Sequence, residues 1–164
     1  MPPQALDPAV FSPDTRDLIF QLHKHRVRYL LVGGRAVIYY GHIRTTGDVD
    51  FFYDSSDENA KQLFAALDEF WDGNIPDLDR WDELTKPNMI LQFGVPPNRI
   101  DLINDIDGLK FADAWPGRLT IKMKVGNEYI EISLIGLDDL AKNKEASGRP
   151  RDLEDLKFLR RARA

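Results

Sequence analysis

The stretch over residues 29–53, YLLVGGRAVIYYGHIRTTGDVDFFY, constrains the fold more than any other part of this chain. Its first apolar run ends at the double glycine Gly33-Gly34, and a short helical pattern follows. A polar loop then leads into a second apolar run that carries Asp48 and Asp50. This order predicts a strand, a glycine turn, a helix, a loop and a second strand with two carboxylates.

The spacing of the two carboxylates indicates a cation site. Side chains two apart on a strand point to the same face, so Asp48 and Asp50 project together while Val49 and Phe51 face a core. Neighbouring like charges cost stability unless a metal ion or a basic group compensates them. Carboxylate oxygens on a rigid strand suit Mg²⁺, or Mn²⁺ in its place, which binds one or two carboxylates together with substrate phosphates.

The double glycine indicates an anion site beside the carboxylates. Glycine lets a backbone approach a ligand closely, and the start of a helix offers free N–H groups to a phosphate. We therefore expect Gly33 and Gly34 to hold phosphate at the same end of the two strands as the metal.

These motifs resemble a known family. Gly33-Gly34, followed after thirteen residues by Asp48-Val49-Asp50, is similar to the signature of the nucleotidyltransferase fold of the DNA polymerase beta superfamily. The form RTTGDVDFF resembles the R-x-T-x-D-x-D version of small bacterial nucleotidyltransferases related to abortive-infection and toxin-antitoxin toxins. The C-terminal stretch LDDLAKNKEASGRPRDLEDL resembles the lysine helix, G-R-P turn and D-x-x-D-L helix of the same group, so the resemblance covers roughly residues 29–159.

The resemblance implies an α+β nucleotidyltransferase fold, with a mixed central sheet flanked by helices and a short C-terminal helical pair. It implies transfer of a nucleoside monophosphate from an NTP, ATP being one candidate, to an acceptor, with release of pyrophosphate. The metal ligands would be Asp48 and Asp50, completed by a third acid on a neighbouring strand.

Asp101 is the candidate for that third acid. Two short strand patterns, residues 89–93 and 99–103, flank a Gly-Val-Pro-Pro-Asn loop and predict a hairpin. In the second strand, Arg99 and Asp101 share one face while apolar residues occupy the other. Taken alone, Asp101 reads as an exposed acid on an edge strand, but the resemblance places it with the metal.

Lys144 is the candidate cation of the site. In the helix predicted over residues 137–147, it lies on the same side as the apolar Leu140 and Ala141. A lysine in such a position either snorkels or reaches an acidic partner or a phosphate. The resemblance places it near the nucleotide, where it would neutralise charge on the leaving pyrophosphate.

A second C-terminal helix is predicted from residue 150 to about residue 161, with Leu153, Leu156 and Leu159 facing inward. Asp152, in its first turn, suits the helix dipole and can also pair with Lys144.

Two residues of the loop before the acidic strand have alternative roles. Arg44 and Thr46 contact phosphate, or they shape the loop.

The remaining pattern predicts one domain over residues 14–164, preceded by an extended N-terminal arm over residues 1–13. Further predicted elements are a helix over residues 14–25 capped by Ser12 or Asp14, an amphipathic helix over residues 57–72 behind the sheet, a short helical turn at residues 111–115, and a hairpin over residues 119–134. Residues 75–86 yield no prediction.

Composition bounds the class of protein. The chain has 164 residues, no cysteine and a net charge of -5, which argues against thiolate chemistry and against unspecific nucleic-acid binding over the whole surface. No stretch approaches a membrane span, so we expect a soluble, cytoplasmic protein. Basic residues concentrate after residue 141, and a cleft would form if the C-terminal helices fold over the carboxylates.

The acceptor does not follow from the sequence: tRNA, protein hydroxyls and small molecules such as aminoglycosides are all modified by relatives of the scaffold. The chain is short for the family, so a homodimer or a cognate antitoxin protein would complete the acceptor site. Two other functions stay open, a non-catalytic nucleotidyltransferase-like binding or regulatory module and a metal-dependent phosphohydrolase.

Overall fold

The computed structural model describes residues 6–163, which fold around one six-stranded sheet. The strands are β1 (Tyr29–Val32), β2 (Asp48–Tyr53), β3 (Ile90–Phe93), β4 (Arg99–Ile103), β5 (Leu119–Val125) and β6 (Glu128–Leu134). The helices are α1 (Pro13–Lys24), α2 (Gly33–Tyr39), α3 (Asp57–Phe70), α4 (Phe111–Ala114), α5 (Leu137–Ser147) and α6 (Pro150–Arg163). Short 3-10 helices cover Pro8–Val10, Trp81–Thr85 and Trp115–Gly117.

The sheet is mixed, with the order β3-β4-β2-β1-β6-β5. The pairs β2–β4 and β1–β6 are parallel and the other three are antiparallel. This architecture confirms the predicted α+β fold, including the C-terminal helical pair. Its most important consequence is that β2, which carries two carboxylates, lies directly beside β4, which carries the third.

The two faces of the sheet have different partners. Asp101 lies opposite Gln92 in the β3–β4 register, so Phe93 belongs to the other face. Trp71, at the end of α3, packs on Phe93 with ring centroids 5.3 Å apart. The amphipathic helix α3 therefore covers the rear of the sheet, as predicted, and leaves the face of the carboxylates free.

The segment before α1 differs in part from the sequence expectation, and the cap of α1 is one of the two that were predicted. Within the described part of the predicted extended arm, Pro8–Val10 forms a 3-10 turn and Phe11 is buried. Leu6 bridges Met123, so this segment packs against β5, and the prediction of an extended conformation is wrong at the turn. Ser12, rather than Asp14, caps α1 by accepting a hydrogen bond from the N–H of Thr15.

The stretch over residues 75–86, which gave no prediction, contains the 3-10 helix Trp81–Thr85 packed against α3. Its Leu84 is buried, and the carbonyl of Leu84 accepts a hydrogen bond of 2.9 Å from the Tyr53 hydroxyl. This contact closes the end of β2 that lies away from the carboxylates.

The buried stripe of α6 differs from the predicted one. Leu156 and Leu159 are buried as expected, but Leu153 is 44% exposed. The stripe instead includes Asp152 and Asp155, which follow the three- and four-residue spacing of a helix face. The prediction for Leu153 is wrong because it considered only apolar residues.

Among the described residues, no helix has the length and apolar character needed to cross a membrane.

Candidate active site

Four side chains form a two-by-two array on the open face of the sheet. Because β2 and β4 are parallel and in register, Asp48 lies opposite Arg99 and Asp50 lies opposite Asp101. One carboxylate oxygen from each of the three acids lies within 4.8 Å of the others. The predicted convergence of the three acids is therefore confirmed.

Arg99 is the member of this array that sequence reasoning did not assign to the site. Its Nε donates to Asp101 Oδ1 at 2.9 Å, and its Nη2 donates to Asp101 Oδ2 at 3.0 Å and to Asp48 Oδ2 at 2.9 Å. Its position two residues before Asp101, on the same strand face, was the available signal. It supplies the basic group that compensates two of the clustered carboxylates.

Asp50 is the least compensated acid of the three. Burial, followed by the negative charges of Asp48 and Asp101, raises the pKa of Asp50 to about 8, although the charge of Arg99 opposes this. A divalent cation would stabilise the ionised form of a carboxyl group whose pKa is raised in this way. The three carboxylates together are hard oxygen ligands of the kind that Mg²⁺ or Mn²⁺ prefers, so the donor set fits such an ion.

The double glycine and the carboxylates depend on one another. Gly33 has φ of 68°, and a Cβ added there would lie 2.2 Å from Asp50 Oδ2, so only glycine fits. A Cβ on Gly34 would lie 2.6 Å from the hydroxyl oxygen of Thr46. The glycines thus make room for the protein's own side chains, a reason that the sequence alone did not give. The helix α2 begins at Gly33 itself, without a side-chain cap.

The loop over residues 41–47 is held by polar contacts. The Arg44 guanidinium pairs with Asp155, at 2.9 Å from Nε and 3.0 Å from Nη2. The Thr46 hydroxyl donates to Asp48 Oδ1 at 3.3 Å. Both residues therefore shape the loop, which was one of their two predicted roles, and both also line the cleft.

A buried ion cluster ties α5 to α6. The Lys144 ammonium, 5% exposed, lies 3.1 Å from Asp152 Oδ1 and 3.1 Å from Asp155 Oδ2. Burial acts to raise the pKa of Asp152, but hydrogen bonds from Arg149 and Lys144 outweigh it and lower that pKa to about 2. The predicted pairing of Lys144 with Asp152 is confirmed. Asp155 was missed because its signal, a carboxylate on a helix stripe, resembles ordinary surface charge.

One cleft of about 900 Å³ brings together every predicted site residue. One wall comes from the sheet and the glycine bend, and the other comes from α5, α6 and the turn between them, as the charge distribution predicted. The predicted residues that line the cleft are Gly33, Gly34, Arg44, Thr46, Asp48, Asp50, Asp101, Lys144 and Asp152. Their roles toward a nucleotide stay predictions.

A mixed sheet that joins a double-glycine bend to three converging carboxylates is consistent with a nucleotidyltransferase fold. A family described as "Nucleotidyltransferase of unknown function (DUF6036)" matches residues 15–159, and the chain belongs to this family. No curated protein matches the chain significantly.

Proposed function

We propose that this chain is a metal-dependent nucleotidyltransferase, which transfers a nucleoside monophosphate from an NTP to an acceptor and releases pyrophosphate. The observation that carries the proposal is the convergence of Asp48, Asp50 and Asp101 within 4.8 Å beside the glycine bend. Family membership supports the same reaction class. We further propose a relation to the DNA polymerase beta superfamily and to abortive-infection and toxin-antitoxin nucleotidyltransferases, on the motifs described above.

The carboxylates of Asp48, Asp50 and Asp101 would hold Mg²⁺ or Mn²⁺. A divalent ion at such a site stabilises negative charge on the attacking and leaving oxygens of a phosphoryl group. Asp101 would complete a second ion position or accept the proton of the acceptor hydroxyl. Asp101 is the most buried acid of the three, and Arg99 fixes its orientation with two hydrogen bonds.

The other cleft residues would position the triphosphate. We assign phosphate contacts to the backbone of Gly33 and Gly34, which borders the Asp50 carboxylate. Arg44 and Thr46 would act by holding the loop at the cleft wall. Lys144, which lines the cleft, would contribute positive charge there. Two buried carboxylates fix its ammonium, and Asp152 would keep it in place.

The acceptor is one of three classes: tRNA, a protein hydroxyl or a small molecule. We propose a cytoplasmic protein that acts as a toxin-antitoxin component, with a homodimer or a cognate antitoxin completing the acceptor site. The exposed Arg149 and Arg151 on the cleft wall suit an anionic substrate.

One observation favours the alternative of a non-catalytic binding or regulatory module. Arg99 already compensates Asp48 and Asp101, so two of the three carboxylates have a counter-ion without a metal ion. Calorimetry with Mg²⁺ and each NTP separates the two functions, because a non-catalytic scaffold would show no metal-dependent nucleotide binding.

The direct test is transfer of α-phosphate label from each NTP to total tRNA, protein extract and aminoglycosides, with and without Mg²⁺. We expect labelling by the wild type with metal and none by Asp48→Asn. Asp54→Asn is the matched control, because Asp54 follows the same strand but pairs with Arg28 at 2.7 Å, away from the triad. Equal labelling by wild type and Asp48→Asn contradicts the proposal, and release of free phosphate without an adduct indicates a phosphohydrolase.

A further inference from the structure

Arg99 stands apart from the other basic side chains of the cleft. Among residues 6–163, it is the basic residue in direct ion-pair contact with the acidic triad. Its guanidinium makes two parallel hydrogen bonds to Asp101 and shares one of the same nitrogens with Asp48. Such a bidentate, charge-assisted pair is among the stronger polar contacts in proteins.

The backbone, rather than a chance side-chain rotation, places this arginine. In the β2–β4 register, Arg99 lies directly opposite Asp48, and it lies two residues before Asp101 on the same face of β4. Its side chain is 32% exposed and lines the cleft. One side of its guanidinium therefore contacts Asp48 and Asp101, and the other side faces the cleft.

The oxygens that Arg99 contacts belong to two of the three carboxylates that could bind a metal ion. It holds Asp48 Oδ2 and both carboxylate oxygens of Asp101. A divalent cation bound by the triad takes at least one oxygen from each carboxylate. Both oxygens of Asp101 accept hydrogen bonds from Arg99, so an ion that binds Asp101 must share an oxygen with the guanidinium. The two cations would repel each other at that distance.

We infer that Arg99 is a built-in competitor of the divalent cation, which stabilises the carboxylates when no ion is bound and withdraws into the cleft when an ion binds. The inference rests on the proposed function, because it requires the triad to be a cation site. Arg99 thus sets the affinity of the site for the ion and keeps that affinity below what three uncompensated carboxylates would give.

The test measures binding of Mn²⁺ to metal-free protein by electron paramagnetic resonance, which detects the free ion and needs no activity. We expect Arg99→Gln to bind Mn²⁺ about tenfold more tightly than wild type, within the usual range for coupling between two sites. Arg149→Gln is the matched control: it removes the same charge from the same cleft, but Arg149 pairs with Asp152 and not with the triad. If both variants bind Mn²⁺ equally more tightly, the loss of positive charge from the cleft explains the effect, and not the contact of Arg99 with the triad. That result would overturn the inference.

A second readout is thermal unfolding. In EDTA, Arg99→Gln should melt below wild type, because Asp48 and Asp101 lose their counter-ion. Saturating Mn²⁺ should raise the melting temperature of Arg99→Gln more than that of wild type. If Arg99→Gln does not fold, Arg99→Lys carries the test: it keeps the charge but lacks the planar fork, so it should bind Mn²⁺ more tightly than wild type. Unchanged or weaker Mn²⁺ binding in the folded variant overturns the inference.

Different experimental results would refute this inference and the proposed function. If wild type transfers label but loss of Arg99 does not tighten Mn²⁺ binding, the competitor role alone is refuted. If neither wild type nor Arg99→Gln binds Mn²⁺, the triad is not a cation site, and both the inference and the proposed reaction are refuted.

Discussion

Replacing Asp50 with asparagine should stabilise the metal-free protein while removing a ligand of the proposed ion. Asp50 is half-buried beside Asp48 and Asp101, and it makes no ion pair with Arg99. Burial and its two acidic neighbours raise its pKa from 3.8 to about 8. An asparagine resembles the uncharged carboxyl group in shape and can never acquire the unfavourable charge.

The sign and size of the effect follow from the pKa in the two states. Because the folded state holds a proton that the unfolded state releases, stability falls as pH rises from about 4 to about 8. Each pH unit in that interval lowers the free energy of unfolding by at most about 1.4 kcal/mol, an upper limit of about 6 kcal/mol in total. Water in the open cleft screens the charges, so we expect about 2 kcal/mol at pH 8, or about 4–8 °C in melting temperature.

The assay is thermal and urea unfolding in EDTA at several pH values between 4.5 and 8.5. Asp50→Asn should be more stable than wild type at pH 8, and the two should converge toward pH 4.5. Asp54→Asn, which loses an ion pair with Arg28, should show no such gain. With Mg²⁺ the wild type should gain stability and Asp50→Asn should not. An Asp50→Asn protein no more stable than wild type in EDTA at pH 8 would refute the reasoning.

Three further predictions concern the packing around the site, and urea unfolding measures each of them. Lys144→Met should cost about 3 kcal/mol, because it leaves two buried carboxylates short of a cation; a loss typical of an exposed lysine would contradict the buried cluster. Gly33→Ala should cost at least about 2 kcal/mol through its positive φ and its clash with Asp50, and it should weaken Mn²⁺ binding; a neutral effect would mean that the bend can relax. Leu156→Ala should cost about 2–5 kcal/mol while Leu153→Ala stays within about 0.5 kcal/mol; equal costs would contradict the observed helix face.

Much of the fold could be predicted because its signals are local. The β2 stretch alternates carboxylates with apolar residues, so its two faces are distinguishable without any other segment. The strand β4 carries a similar pattern around Asp101. Its convergence with β2 was predicted from the family resemblance and not from this pattern alone. The turn residues Gly148 and Pro150 marked the boundary between α5 and α6 in the same way.

What the sequence could not predict depends on pairing between distant segments. Arg99 becomes a partner of Asp48 only through the β2–β4 register, which a single sequence does not specify. Asp155 is buried only because Arg44 and Lys144 reach it from other elements. Without those partners, a helical carboxylate is indistinguishable from surface charge, and the same ambiguity led to the wrong placement of Leu153.

The contact between Arg44 and Asp155 joins positions 111 residues apart. Contacts between such distant positions generally form after local ones during folding, so this contact should form after α6 itself. Because α6 is more exposed than β2, its local opening should need less free energy than that of β2. Amide hydrogen exchange should then be faster in α6 than in β2, and such openings would give large molecules momentary access to the carboxylates.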